Sequence, residues 1–179
     1  MKKLLGLVLL ISSLSVCAHS QSSNPWELGA EYQHDWGKSF KGNDLGIVYE
    51  GFPGKTSWTA GVHYNFSSLG SGKETSKGSG FGISAGFRYG FGYGGSGNPF
   101  LGIRASFSFE KNEKGKSYSL FKPSAEFGYH LTFNNFASGG FTSPSIGIGY
   151  NFNLGIDKQK TQVFEGPTFN TRIAVGYRF

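Results

Sequence analysis

Apolar and polar residues alternate along most of the chain with a period of two, which is the pattern of a β-strand with two different faces. The run at 81–91 is the clearest, because Phe, Ile, Ala and Tyr occupy its odd positions while Gly, Ser and Arg occupy its even ones. Similar runs recur up to the last residue. They predict eight strands, at 26–36, 45–50, 58–66, 81–91, 101–110, 118–131, 146–154 and 169–179.

The phase of the sixth run changes midway. Tyr118 and Leu120 are apolar at even positions, whereas Phe127 and its apolar neighbours fall on odd ones. Pro123 lies between the two halves, and proline cannot donate a hydrogen bond to a sheet ladder. A bulge inserts one residue and moves the following side chains to the other face. We therefore predict a β-bulge at 121–123 that resets the phase.

The segments between the predicted strands alternate in chemical character. The first, third, fifth and seventh are polar and contain lysines, whereas the second, fourth and sixth are rich in Gly or Asn and nearly uncharged. An even number of antiparallel strands with chemically distinct ends is typical of bacterial transmembrane barrels, whose tilted strands need about 9–11 residues to cross a bilayer. The predicted fold class is therefore all-β, an eight-stranded antiparallel up-and-down transmembrane β-barrel.

A secreted β-sandwich is the alternative, because its strands would show the same alternation with the apolar faces packed inside. Aromatic residues recur near the ends of the predicted strands, as they do in the interfacial girdles of membrane barrels. The opposite faces carry many of the 29 glycines, whereas a water-facing sheet favours threonine and other strand formers. Both features favour lipid. The mean hydropathy of −0.27 does not decide, because strict alternation averages out while one face stays apolar.

The N-terminus has the pattern of a secretory signal peptide. Lys2 and Lys3 form a basic start, and the apolar run at 4–16 is too short to span a bilayer as a helix. We predict cleavage after Ser20, so that 1–20 are a cleaved signal peptide and 21–179 form the barrel domain. Cleavage after Ala18 and lipidation of Cys17 are alternatives. Loss of 1–20 removes the single cysteine, so no disulfide and no thiol chemistry are expected.

The last strand ends with aromatic residues that alternate up to the final position, in the segment Val175-Gly176-Tyr177-Arg178-Phe179. This ending resembles the terminal strand signal of outer-membrane barrels. The resemblance implies an assembly role for Tyr177 and Phe179, with the barrel assembly machinery as a partner. With its length, strand number and leader, the mature chain resembles the small eight-stranded outer-membrane barrels of the OmpX/Ail kind, and 122–129 resembles opacity-type barrels. A bacterial outer-membrane location follows from the resemblance, but an activity does not, because such barrels include adhesion proteins and enzymes.

The polar faces of the predicted strands place charges of both signs in the lumen. Eight strands enclose an interior just wide enough to be filled by side chains. An ion-selective pore usually shows rings of one sign, whereas acids and bases are nearly balanced here, and buried charges need partners. We therefore predict an ion-paired network that plugs the lumen, with Glu31 and Arg172 as partners where the first and eighth strands meet. The network consists of Glu31, Glu50, Arg88, Arg104, Glu126 and Arg172, and the lumen also holds Glu27, Asp35, Glu110, Lys122, Arg178, His63 and His130.

Two other functions stay open, a small pore and an enzyme that modifies lipid A or phospholipid. The segment at 130–134, His-Leu-Thr-Phe-Asn, loosely resembles the His-x-Ser-Asn stretch of outer-membrane lipid A deacylases. It departs by Thr in place of Ser and by an inserted Phe, and the predicted topology turns His130 into the lumen, away from lipid. The chain also lacks metal-ligand spacing and nucleotide-binding fingerprints. We therefore predict no enzymatic activity, no catalytic residue, no metal site and no cofactor.

Lysines in the odd-numbered connections are the remaining signal. If the N-terminus starts in the periplasm, these connections lie outside the cell, where lysines could bind the phosphates of lipopolysaccharide or an acidic surface ligand. The alternative is that they only keep the loops solvated. Nucleic acid is not expected as a partner, despite a pI of about 9.4. The predicted role is thus structural, or one of surface interaction, next to outer-membrane lipids. Lys38 and Lys41 lie in the first connection, and the candidate binding residues are Lys73, Lys77, Lys111, Lys114, Lys116, Lys158 and Lys160.

Overall fold

The computed structural model consists of eight long β-strands. It describes residues 26–37, 40–51, 55–69, 76–91, 97–113, 115, 117–133, 138–154 and 165–179, so the signal peptide predicted at 1–20 lies outside the described residues. No helix within this part of the chain is long and apolar enough to cross a membrane. The strands are β1 (Trp26–Gly37), β2 (Phe40–Gly51), β3 (Thr56–Leu69), β4 (Ser76–Gly90), β5 (Gly97–Asn112), β6 (Ser117–Thr132), β7 (Gly139–Asn153) and β8 (Gly166–Arg178).

The eight strands form one closed sheet. Each strand pairs antiparallel with the next one along the chain, and β8 returns to pair with β1. Closure removes the unpaired edges that an open sheet would present. The backbone N–H of Phe179 donates to the carbonyl of Trp26 at 2.9 Å, so the start of β1 and the end of β8 meet at one end of the barrel. The predicted up-and-down barrel is confirmed, and the two-sheet sandwich is wrong.

The two faces of the sheet are the reverse of those in a water-soluble protein. On β5, the side chain of Ile103 is 67% exposed on the outside, whereas its neighbour Arg104 is 5% exposed in the interior. The same alternation runs along the other strands, so large apolar side chains cover the outer wall. The interior is lined by buried carboxylates, guanidinium groups, histidines, asparagines and serines. The assignment of apolar positions to the outside and polar positions to the lumen is therefore correct for most of each strand.

The predicted bulge in β6 is wrong. The pairing of β6 with β5 runs through Pro123 without a shift, and the pairing with β7 keeps the same register on both sides of it. The ladder to β7 skips Lys122 and Pro123, which accommodates a residue that has no N–H to donate. Tyr118 and Leu120 consequently face the interior and are buried. These two apolar side chains at even positions form an apolar section of the lumen. The side chains of the strand therefore keep the same facing throughout.

Several strands continue beyond the alternating runs that predicted them. β4 begins at Ser76 and β5 ends at Asn112, so Lys77 and Lys111 lie in strands, although the sequence placed them in loops. Lys41 lies in β2 for the same reason. Beyond the apolar band both faces of a strand can be polar, so the alternation disappears while the backbone hydrogen bonds continue. These corrections place three lysines on the barrel wall.

Candidate functional site

Six charged side chains cross the middle of the lumen as one connected chain of alternating sign. They come from six different strands and are all buried. They are the six residues of the predicted lumen network, and the structure brings all of them together. In order along the ion pairs they are Glu50, Arg88, Glu126, Arg172, Glu31 and Arg104.

Two arginines connect the acids of this central chain. Arg88 Nη1 lies 2.5 Å from Glu50 Oε2, and Arg88 Nε lies 3.1 Å from Glu126 Oε1. Arg172 Nη2 lies 2.9 Å from Glu126 Oε2, and its Nη1 lies 2.7 Å from Glu31 Oε2. The partnership of Glu31 and Arg172, expected from closure between the first and eighth strands, is therefore present. Each arginine bridges two strands that are not neighbours in the sheet, which ties opposite walls together.

Glu31 is the shared acceptor at one end of the chain. Besides Arg172, it pairs with Arg104, whose Nη1 donates to Glu31 Oε2 at 3.0 Å while Nη2 contacts Oε1. Arg104 Nη2 also donates to Ser84 at 2.7 Å. Arginine suits this position because its planar guanidinium can engage both carboxylate oxygens at once. One carboxylate thus accepts hydrogen bonds from two buried guanidinium groups.

A second cluster lies nearer the lysine-rich end of the barrel. Lys122 Nζ lies 2.8 Å from Asp35 Oδ2 and 2.9 Å from Asp44 Oδ2. Asn65 donates to the other oxygen of Asp44 at 2.5 Å, and Gln33 donates to Asp35 at 2.8 Å. The sequence reasoning missed Asp44 because the second run was started at residue 45. Asp44 shares the even parity of Gly46, Val48 and Glu50, and extending that run by one residue would have found it.

Between this second cluster and the lysine-rich end, the side chains of Tyr118 and Leu120 fill the interior. Tyr118 donates a hydrogen bond to Glu110 at 3.0 Å, and Ser67 donates to the same carboxylate at 2.5 Å. Ser108 donates to its other oxygen at 3.1 Å. Leu120 is fully buried beside them. The residues that broke the alternation in the sequence therefore fill the lumen here.

A third cluster closes the end where the start of β1 meets the end of β8. Glu27 Oε1 lies 3.0 Å from His130 Nε2 and 2.8 Å from Arg178 Nε. Glu27, Glu50 and His130 offer ligand atoms within 4.8 Å of one another, so they are a group that could hold a metal ion. However, Arg178 occupies one oxygen of Glu27, and Glu50 accepts hydrogen bonds at both of its oxygens, from Ser57 and Arg88. An ion would compete with two guanidinium groups, so we assign no metal here.

Among the described residues, the interior charges lie in clusters of mixed sign or, for Glu110, among hydroxyl donors, and they form no ring of one sign. Removing one partner from a buried ion pair costs about 3–5 kcal/mol, because the remaining charge stays desolvated. The network can therefore hold the walls in one arrangement and obstruct the passage of ions. Each of its guanidinium groups, and the ammonium group of Lys122, contacts a carboxylate, so these cations are committed to contacts between the walls.

Among the described residues of the enzyme alternative, His130 does not lie on the outer wall. His130 is buried in the lumen, where it stacks on Phe141 with ring centroids 5.4 Å apart. Asn134 lies outside the described residues. On the outer wall, His34 Nδ1 lies 2.7 Å from Asn43 Oδ1 and its ring packs edge-on against Trp36. These contacts give His34 a packing role at the rim of the wall.

The predicted lysines divide into two groups. Lys77 and Lys111 are exposed on the outer face of β4 and β5. The rest of the predicted group lie outside the described residues, and they are Lys73, Lys114, Lys116, Lys158 and Lys160.

The C-terminal aromatic residues lie on the outside of the barrel at the end opposite the lysines. Phe179 stacks on Trp26 with ring centroids 4.2 Å apart, and Tyr177 packs edge-on against Phe179 at 5.1 Å. The two residues of the predicted assembly signal are therefore part of one aromatic cluster at the seam between β8 and β1.

Comparison with known proteins supports the fold and leaves the activity open. Neither a family model nor a curated protein sequence matches the chain. The crystal structure of Neisserial surface protein A is similar, with a TM-score of 0.55 over 88% of this chain and 96% of that one. Only 14% of the aligned residues are identical. At that level the likeness establishes a shared architecture, so the chain has the fold of a surface protein's antiparallel β-barrel.

Proposed function

We propose that the chain is an integral protein of the bacterial outer membrane, with a lumen filled by side chains and a non-enzymatic role in membrane structure or at the cell surface. The reversal of the two faces carries this proposal. Burying one large apolar side chain is worth about 1.5–3 kcal/mol, and the outer wall exposes many of them, as Ile103 and Ile148 illustrate. Such a surface is stable when lipid covers it, and a closed barrel is a sheet that lipid tolerates.

The orientation that we propose follows from the two ends. Termini in the periplasm would put the lysine-rich connections outside the cell and would present Tyr177 and Phe179 to the barrel assembly machinery. The likeness to a Neisserial surface protein supports this location. Membership of the OmpX/Ail family and removal of 1–20 as a signal peptide belong to the same proposal. The loop lysines would then meet lipopolysaccharide or an acidic surface ligand.

The paired lumen argues for a structural role and against a pore or an enzyme. Every member of the central chain has a partner of opposite sign, so an ion would have to displace an existing pair to pass. His130 lies inside the barrel, whereas a lipid A hydrolase needs its base on the lipid-facing wall. We therefore favour stabilisation of the membrane or binding by the external connections.

Heat-modifiability of the mature protein, residues 21–179, tests the membrane barrel. We expect protein refolded in lipid or detergent to give a β-sheet circular dichroism spectrum and to change mobility on a denaturing gel after boiling. A soluble, monomeric protein that shows no shift without detergent would refute the membrane assignment.

Planar-bilayer recording and lipid A incubation test the rest. A filled lumen predicts no defined single-channel conductance in planar bilayers, and regular conductance steps would refute it. A non-enzymatic role predicts that mass spectrometry finds no fatty acid released from lipid A, and release by the folded protein would show the enzyme alternative to be correct.

A further inference from the structure

The outer wall changes from apolar to basic over one row of residues on β2 to β5. Lys41, Lys77 and Lys111 are all exposed on the outer face near the lysine-rich end. The register aligns Lys41 with Ser68 and Ser68 with Lys77 across three strands. On β5, Lys111 pairs with Ser79 of β4, two residues from Lys77. Diagonal neighbours of this kind have Cα atoms about 7–8 Å apart, so Lys77 and Lys111 can reach one anionic group.

A polar pocket of about 490 Å³ lies at this point of the wall. Its lining includes Lys77 and Lys111 with the hydroxyl-bearing Ser68 and Ser79, and Glu113 is the one carboxylate among its lining residues. Ammonium and hydroxyl groups are donors that a phosphate accepts from. The pocket therefore combines two cations with neutral donors, and Glu113 offsets part of their charge.

An apolar groove of about 510 Å³ lies beside this pocket on the same four strands. Its outward-facing lining is aliphatic and aromatic, from Leu45 on β2 to Phe107 and Phe109 on β5. The consecutive outward positions of β3, Phe66 in the pocket and Tyr64 in the groove, connect the two. A basic pocket beside an apolar groove is complementary to a molecule with an anionic head and hydrocarbon chains.

The other half of the wall lacks this combination. In the described parts of β1, β6, β7 and β8, every lysine or arginine, namely Lys122, Arg172 and Arg178, is buried in the lumen. The outer residues of β6 and β7 near the same end are serines and phenylalanines, such as Ser119 and Phe152. The basic pocket therefore marks one side of the barrel, whereas a general attraction to anionic membranes would need no such asymmetry.

The geometry points to a binding site on the β2 to β5 wall for an acylated lipid with a phosphorylated headgroup. The phosphate lies between Lys77 and Lys111, and the acyl chains follow the apolar groove. This inference rests on the proposed membrane placement, since the groove must face lipid. In the proposed orientation the pocket lies at the level of the outer-leaflet headgroups, where lipid A supplies phosphates and acyl chains on one molecule.

Native mass spectrometry of detergent-refolded mature protein tests the site, with bisphosphorylated lipid A and its dephosphorylated form as probes. We expect preferential retention of the phosphorylated form. One basic residue near an anionic membrane surface is worth about 1 kcal/mol, or roughly fivefold in affinity, so Lys77→Ala with Lys111→Ala should weaken retention by about tenfold or more. Glu113→Gln should strengthen it. Equal retention of the two lipids, or no change in the double variant, would overturn the site.

Matched variants separate the wall from the loops. Lys158→Ala with Lys160→Ala removes the same charge from a connection outside the described residues, and it should weaken retention far less than the change at Lys77 and Lys111. Lys77→Arg with Lys111→Arg keeps both charges and should retain the lipid. If the variant at Lys158 and Lys160 lost as much lipid as the variant at Lys77 and Lys111, diffuse electrostatic attraction, and not the pocket, would explain the binding. If an equal concentration of inorganic phosphate released the lipid, the site would be one for phosphate, and the proposal of a lipid as its occupant would be overturned.

Heat-modifiability of every variant is measured first, so the two proposals fail in different ways. Wild-type protein that forms no heat-modifiable barrel would refute the membrane assignment itself. Variants that all fold and shift normally, but without any preference for the phosphorylated lipid, would refute the binding site alone.

Discussion

The inner and outer faces of the barrel belong to the same eight strands, yet they are stabilised by different means. Inside, each charged group has a specific partner, as Glu31 has in Arg104 and Arg172. Outside, apolar side chains such as Ile103 and Ile148 project away from the sheet and are largely exposed. The interior therefore depends on which residue stands at each position and on its geometry. The exterior depends only on chemical class and, in the proposed membrane, on depth in the lipid.

This difference decides what a substitution can do on each face. An interior change that removes one charge leaves its partners buried and unpaired, and the cost does not depend on the solvent around the barrel. An exterior change is costly only if lipid surrounds the position. Comparing the two faces by mutation therefore measures the lumen network and the membrane placement separately.

Loss of the shared acceptor in the lumen should have the largest effect. Glu31→Gln keeps the shape of the side chain but leaves Arg104 and Arg172 without their common carboxylate. We expect the free energy of unfolding to fall by about 3–5 kcal/mol, measured by reversible urea titration of tryptophan fluorescence in lipid vesicles. Glu113→Gln is the matched control at the exposed rim, where the change should stay below about 1 kcal/mol. Similar losses in the two variants would contradict a paired lumen.

A charge on the outer wall should have the next largest effect. Ile103→Arg places a guanidinium near the middle of β5, where a membrane barrel loses about 2–4 kcal/mol of unfolding free energy. The control is Ser119→Arg on the outer face of β6 near the lysine-rich end, where the loss should be about 0–1 kcal/mol. The same urea titration compares them. If Ile103→Arg unfolds like the wild type, the wall at that depth is not in contact with lipid.

The comparison of the two faces also explains how much the sequence could predict. Strand number, antiparallel order and the facing of most residues followed from alternation alone, because a sheet with unlike faces imposes a period of two. The six members of the central network followed from the same parity. Alternation does not specify which acid meets which base, because long side chains reach across the lumen. Thus Glu31 was expected to meet Arg172, but its second partner Arg104 was not foreseen.

The errors in the sequence analysis occur where the two faces stop being different. Tyr118 and Leu120 are apolar but point inward, and the pattern was therefore mistaken for a change of face at Pro123. Lys77 and Lys111 lie beyond the apolar band, where alternation no longer marks a strand, and they were mistaken for loop residues. In both places the backbone hydrogen bonds of the strand continue while the contrast in hydropathy between the two faces disappears. Hydropathy alone therefore cannot locate the strand there.

Enlarging a small interior residue should have a smaller effect on the free energy of unfolding. Gly82 faces the lumen opposite His63, and an added Cβ would lie 2.5 Å from His63 Nε2 and 2.9 Å from a backbone oxygen. Gly82→Ala should lower the unfolding free energy by about 1–3 kcal/mol through overpacking. Gly140→Ala is the control, because its Cβ would meet nothing closer than 3.6 Å. An equally tolerated Gly82→Ala would mean that the lumen has room to adjust there.

The smallest effect on stability is expected where the outer wall ends. Phe179 stacks on Trp26, and an aromatic pair of this kind is worth about 0.5–1.5 kcal/mol beyond its buried area. Phe179→Ala should therefore cost refolded protein only a little unfolding free energy in vesicles. If Tyr177 and Phe179 are read by the assembly machinery, the same change should lower the amount of heat-modifiable barrel in outer membranes of expressing cells far more than that stability loss explains. Phe152→Ala, which removes an outward phenylalanine near the other end, provides the control for lost aromatic area. Equal barrel levels for the two variants would make Phe179 an ordinary wall residue, held by its contact with Trp26 and carrying no assembly signal.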